Sequence, residues 1–204
     1  MREAAKASRA KAQMKKMCAA ELLALYASGK RDFSAIDISE VDLFEANLSG
    51  INLTGSNLQK IYLPYSNLDQ AELQQAQLQA AQLSNAQLYQ ANLSYADLQA
   101  ANLFRATLRR ANLRGANLAY ANLQGVDLGN ADLSCANLSN ADLSGANLEN
   151  TKLTNAQLSG SNLFRTQNVD LSNAYLDDST IYPDGHRLNN ASSSHKNAVD
   201  YGTE

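Results

Sequence analysis

A large aliphatic or aromatic side chain recurs at every fifth position from Phe33 to Leu163 without a slip of register. Phe33 and Ile38 open the series, and every centre from Leu43 onward is leucine. Two residues before each centre stands a small or β-branched residue, most often alanine, as at Ala46, Ala71 and Ala156, followed in most repeats by Asn, Asp or Gln. An amphipathic helix needs apolar residues about every 3.6 positions and a half-buried strand every second, so neither explains a strict five. The period predicts a coil in which each pentapeptide is one short side and a corner, and four sides close a turn of 20 residues. The centre and the small residue two before it then both face inward. Backbone hydrogen bonds run between coils stacked about 4.8 Å apart, around four columns of leucine.

The corners support this coil independently. Gly50, Gly55, Gly115, Gly125, Gly145 and Gly160 all occupy the second position after a centre, and Asn85, Asn130, Asn140, Asn150 and Asn155 share that slot. A type II turn needs positive φ at its second central residue, which favours Gly and then Asn, and accepts proline at the first, where Pro64 stands. Ala35, Ala80, Tyr65 and Arg110 in the glycine slot predict a mixture of turn types.

With the segments Ala91-Asn92-Leu93-Ser94-Tyr95 and Ala116-Asn117-Leu118-Ala119-Tyr120, the chain resembles the pentapeptide repeat proteins, a family abundant in cyanobacteria. The likeness covers roughly residues 33 to 181. It implies an all-β solenoid, a right-handed quadrilateral β-helix of about seven coils. Because the repeat itself is what matches, the resemblance speaks to fold and not to function.

An open stack exposes unpaired strand edges at both ends, so each end should carry a device that covers it. Residues 19–29 are rich in helix formers and stop at Gly29, which predicts a capping α-helix with Leu22, Leu23, Leu25 and Tyr26 toward the leucine columns. Residues 1–18 form a basic extension that includes Arg2, Lys6, Arg9, Lys11, Lys15 and Lys16. It reads as a solvated tail, the alternative being an arm laid on the first coil, where Asp32, Asp37, Glu40, Asp42 and Glu45 cluster; Met14 and Met17 are alternative starts. The β-helix is assigned to residues 30–185, with a break near 164–170, and a disordered tail to 186–204. At the break the register fails at Asn168 and resumes at Leu171, Leu176 and Ile181, which reads as three inserted residues. Phe164, Val169, Leu176, Ile181 and Tyr182 then make the C-terminal end a candidate homodimer surface.

Charge and chemistry narrow the function classes. A formal charge of -3 gives no global attraction for nucleic acid or an anionic membrane. Residues 1–32 carry eight basic and three acidic side chains, so a basic extension precedes an acidic body. No apolar run approaches the roughly 20 residues of a membrane span, and the start has no signal-peptide core, so the expectation is a cytoplasmic protein. Cys18 and Cys135 match no metal or redox spacing and read as free thiols. His186 and His195 lie in or beside the tail, and no nucleophile with a base, carboxylate pair, phosphate loop or metal cluster is visible, so neither an enzyme nor a cofactor is expected.

Residues 20 apart stack, so outward columns follow by arithmetic. Arg105, Arg109, Arg110 and Arg114 fall on consecutive sides of one coil beside Phe104, with Tyr89 one coil below Arg109 and Tyr65 two below Arg105. Arginine with aromatics is what interface hot spots favour, so these seven residues form the candidate partner surface. Four arginines on different sides make no single groove for nucleic acid. The function expected is a non-catalytic protein-interaction scaffold, with Phe44 a further candidate contact. The alternative, suggested by the quinolone-resistance members of the family, is a DNA mimic that binds a type II topoisomerase. A mimic needs continuous negative potential, which the arginine belt interrupts.

Overall fold

The computed structural model describes residues 14–187. The residue before each centre forms an isolated parallel bridge with its counterpart 20 residues on, from Asp32↔Asn52 in unbroken succession to Asn147↔Gln167. A turn separates consecutive bridges every five residues, so each coil has four sides and four corners. The core is the double set of inward positions: the centres from Phe33 to Leu163 and the small residues two before them are buried almost without exception.

One repeat explains why the pattern holds. In residues 51–55, Ile51 N–H closes the preceding corner onto the Leu48 carbonyl at 3.1 Å, and Asn52 N–H reaches down to Arg31 O at 2.8 Å. Leu53 and Gly55 N–H reach up to Glu72 O and Gln74 O, at 2.7 and 2.8 Å. The fifth amide, on Thr54, donates to the side-chain Oδ1 of Asn52 at 3.0 Å. Every amide of the repeat is thereby paired, which a backbone wrapped around a dry core requires. Where the residue before the centre is Asn or Asp, its side chain satisfies the corner amide, which explains the preference for Asn and Asp there.

The corners do not divide by residue type as the mixture of turns would have it. Every fifth residue from Ala35 to Arg165 has φ between +53° and +69°, including Tyr65, Arg105, Arg110 and Tyr120. The hydrogen bonds between coils impose the left-handed conformation on bulky residues that do not prefer it, at about 1–2 kcal/mol each.

At the N-terminal end, β1 (Lys15–Lys16) pairs in parallel with β2 (Ile36–Asp37), and Met17 N–H donates to Asp37 O at 2.9 Å. The Lys15–Met17 stretch is therefore laid under the first coil, with Met17 buried in the core, in contrast to the solvated tail expected for it. Arg2, Lys6, Arg9 and Lys11 lie outside the described residues.

Helix α1 (Ala19–Ala27) follows. Leu22 is fully buried, and Leu25 and Tyr26 pack against the core, with Tyr26 Oη donating to Ser49 O at 2.7 Å. Leu23 departs from the expectation and is exposed, because positions 22, 25 and 26 share one helical face and 23 lies about 100° away. The helix ends as Gly29 adopts φ +97°, with Gly29 N–H on Tyr26 O and Lys30 N–H on Leu25 O, a Schellman closure.

The C-terminal break is a shortening and not an insertion. Asn147 still pairs with Gln167, but Gln157 pairs with Tyr175, 18 residues on, and Asn162 with Ile181, 19 on. Asn168, exposed at φ 54°, turns the chain at once where a full side was due. Leu171 and Leu176 then resume the centres, with Leu176 only half-buried. Ile181 is not the next centre: it takes the outward bridging slot, Thr180 is buried behind it, and Tyr182 fills the centre at 9% exposure. His186, expected in a disordered tail, stacks on Tyr182 with ring centroids 4.7 Å apart and hydrogen-bonds Asp184. Residues 188–204 lie outside the described residues.

Candidate interaction surface

The outward-facing positions repeat as four edges, one for each corner column, and the lattice decides which side chains each edge gathers. One edge, here called edge A, stacks Phe44, Pro64, Ser84 and Phe104 at the first corner position and Glu45, Tyr65, Asn85 and Arg105 at the second. The ring of Phe44 stacks on Tyr62 at 6.3 Å with 21° between planes, and meets Tyr65 edge-on at 5.9 Å. Phe44, Tyr62 and Tyr65 are 47%, 42% and 57% exposed. Two coils above Tyr65, Arg105 lies over the Phe104 ring at 5.0 Å.

The next edge holds Tyr89, Arg109 and Arg110. Arg109 Nη1 reaches Asp127 Oδ2 at 3.3 Å, across one coil, and Arg110 Nη1 donates to Tyr89 Oη at 3.2 Å. Gly129 makes room for the first contact, since a Cβ there would sit 2.8 Å from Arg109 Nη1. Arg114 belongs to a third edge, beside Tyr95. The candidate residues thus separate: Tyr65, Phe104 and Arg105 share edge A, Tyr89, Arg109 and Arg110 share the second, and Arg114 stands apart. Of the C-terminal candidates, Phe164 is exposed, Val169, Leu176 and Ile181 are partly so, and Tyr182 is buried against His186.

Tyr62 escaped the sequence reading although its signal was present: it stands in a slot that normally holds Asn or Asp, three residues before Tyr65 on the same turn. The lateral amide ladder also escaped it. Asn137 Nδ2 donates to Asn117 Oδ1 at 3.2 Å and Asn117 Nδ2 to Asp97 Oδ1 at 3.0 Å, so one column of side chains is linked coil to coil. At two aspartates in such columns, Asp142 and Asp37, the acidity rises. At Asp142, burial pushes the carboxyl up, but hydrogen bonds from Gln124, Ser144 and Asn162 outweigh it and hold the group below its ordinary value. At Asp37 the Ser39 amide and hydroxyl do the same, helped by Lys16.

Among the described residues no helix is long and apolar enough to cross a membrane, and no group of three His, Cys, Asp or Glu is placed to hold a metal ion.

No curated relative matches the chain. The solved structure of HetL, a pentapeptide repeat protein involved in heterocyst differentiation regulation from Nostoc sp. strain PCC 7120, is 30% identical, over 84% of this chain and 100% of that one, with a TM-score of 0.33. The pentapeptide repeat protein alr5209 of Nostoc PCC 7120 is 27% identical over 81% and 99% of the two chains, at a TM-score of 0.31. QnrB1, a plasmid-mediated fluoroquinolone resistance protein, is 18% identical over 72% and 83%, at 0.35. The family described as Pentapeptide repeats matches in eight copies, over residues 36–61, 61–94, 96–134 and 131–166. The chain belongs to the pentapeptide repeat family.

Proposed function

We propose that this protein is a non-catalytic, cytoplasmic scaffold, a right-handed rod of about seven coils closed at one end by α1, which offers edge A to a protein partner. One observation carries the reading: Phe44 holds its ring against both Tyr62 and Tyr65, and all three rings stand in water. Aromatic rings with arginine beside them are the groups that dominate interface energies once desolvated, and Phe104 and Arg105 continue the same edge upward. HetL, 30% identical to this chain, is involved in heterocyst differentiation regulation, and a regulatory role suits the scaffold reading. The exposed thiols of Cys18 and Cys135 suit a reducing compartment. The half-exposed Val169, Leu176 and Ile181, with Phe164, supply a C-terminal surface for a second copy.

Edge A is tested by affinity capture from the native host with three forms: wild type, F44A/Y62A/Y65A, and R105E/R109E/R110E/R114E. A partner captured by the wild type and lost with the aromatic variant supports the reading. Topoisomerase subunits captured by all three would support the DNA-mimic alternative, against which the arginine belt argues. Light scattering of wild type against Leu176→Asp tests the dimer.

A further inference from the structure

Every centre from Phe33 to Leu148, and every residue two after a centre from Ala35 to Gly145, donates its N–H to the coil above, so the one side where this fails stands out. Between the Asn147↔Gln167 and Gln157↔Tyr175 bridges, the shortened turn at Asn168 carries the last coil away from residues 150–154. Lys152 keeps its bridge to Asp132 below but has no counterpart above among the described residues. The N–H groups of Asn150 and Leu153 and the carbonyl of Thr151 have no partner among the described residues, whereas the equivalent groups of Gly50, Leu53 and Ile51 are all paired. These groups line a cleft of about 380 Å³, walled on its far side by Asn168, Asp170 and Asn173.

The order of the groups identifies what fits. In the intact repeats one residue of the coil above gives its N–H to the carbonyl two before a centre and its C=O to the amide of that centre, as Glu72 does to Ile51 and Leu53. Thr151 C=O and Leu153 N–H present that same pair of sites, facing the cleft. A simple anion would use the amides but leave Thr151 C=O unmet, and it would face the Asp170 carboxylate. An extended peptide satisfies donor and acceptor together, since strand addition at an open edge works through the main chain. We propose that this cleft binds a short extended segment of a partner protein, added in parallel along residues 150–154 with one of its residues bridging Lys152. The side chain of that residue points outward beside the Lys152 ammonium, as bridging residues do throughout the rod, so an aspartate or asparagine is favoured there. This site is separate from edge A, and its test does not depend on whether edge A binds.

The experiment uses the full chain, isotope-labelled, and the probe Ac-Ser-Ala-Asp-Ser-Gly-NH2. Amide exchange comes first: in the free protein the Leu153 and Asn150 amides should exchange at least tenfold faster than those of Leu133 and Asn130, one coil below, which are paired with the coil above. Protection of both would mean that the edge is already paired within the chain, and would overturn the proposal. On titration the probe should shift the Leu153 and Asn150 amides saturably. The analogue N-methylated at its aspartate, which lacks the bridging donor, should bind at least tenfold more weakly, and so should the probe with Lys152→Glu protein. Equal binding of the N-methylated analogue, or the same shifts from inorganic phosphate alone, would sink strand addition.

Discussion

The backbone amide of Tyr89 donates to Oδ1 of Asp69, one coil below, at 2.8 Å. Most corners are closed from their own side instead, as Ser94 is by Asn92 and Phe104 by Asn102. The difference lies at Gln87, which fills the slot before the centre Leu88 with a side chain one methylene too long to fold back onto its own corner. Asp69 supplies the missing acceptor, and in doing so ties two coils together outside the backbone ladder.

Removing that acceptor should be felt. Asp69→Ala is expected to lower stability by about 1–2 kcal/mol, the cost of a lost hydrogen bond to a charged partner. In the same background Gln87→Asn should recover most of the loss, because Asn at 87 can accept from Tyr89 N–H within its own side. Urea denaturation of the two single variants and the double variant measures this. Equal stability of Asp69→Ala and the double variant would refute the substitution of one cap for the other.

The acid response follows from the same carboxylates. Asp37, Asp132, Asp142, Asp170 and Asp177 all have folded pKa values below the ordinary 3.8. A group whose pKa is depressed on folding contributes its stabilisation fully above the unfolded value and loses it as pH falls through the folded one. The melting temperature should therefore stay level from neutral pH to about 5 and decline below about 4. Asp142→Asn should lose about 1 kcal/mol near neutrality, since one of its atoms becomes a donor facing Gln124 Nε2, and its deficit relative to wild type should shrink at low pH. A deficit independent of pH would contradict the charged-acceptor account of Asp142.

The coil was legible in the sequence because burial here is one-dimensional. Leu103 meets Leu83 below and Leu123 above whatever the rest of the chain does, so the period alone places it. The ends were less legible, since they depend on how the register stops. The eight residues from Leu163 to Leu171 suggest an insertion by count, yet Asn168 takes positive φ and lets one residue serve as both side and corner, so the coil is shortened. Tyr182 displaces Ile181 from the centre for a related reason: Thr180 is small enough to sit inward and bond the Leu158 carbonyl at 3.0 Å, and this moves the register by one. Arg109 seemed destined to face an aromatic column, but the absence of a Cβ at Gly129 opened a path to Asp127 that a period of five does not reveal.

The strained corners offer a route to a more stable rod. Ala80 and Ala100 both sit at φ 55°. Their left-handed conformation costs about 1–2 kcal/mol, against about 0.4–1 kcal/mol of extra unfolded-state entropy on changing to glycine. Ala80→Gly and Ala100→Gly should each stabilise the protein by up to about 1 kcal/mol. Gly115→Ala should do the reverse and by more, because its new Cβ would stand 2.6 Å from the ring of Tyr95. That excess should vanish when Tyr95→Ala is added. Denaturation midpoints at constant slope check the set, and a destabilised Ala80→Gly would show that the corner conformation is not the strain argued here.

The core makes the sharpest prediction. Leu103 is fully buried, between coils that contact only their neighbours. Leu103→Ala should fold with a loss of about 2–5 kcal/mol, according to how far Leu83 and Leu123 close the gap. Leu103→Asp puts a carboxylate into a column with no donor in reach, where an unpaired charge is far more costly than the missing methyls. Because each coil is held only by the two beside it, the damage should appear as a break in the stack. Circular dichroism should then show part of the native signal retained, the single denaturation transition should split in two, and limited proteolysis should cut within residues 100–110. A Leu103→Asp protein with one transition and an unchanged midpoint would mean that Leu103 does not face the core, and the inward assignment of the whole centre column would fall with it.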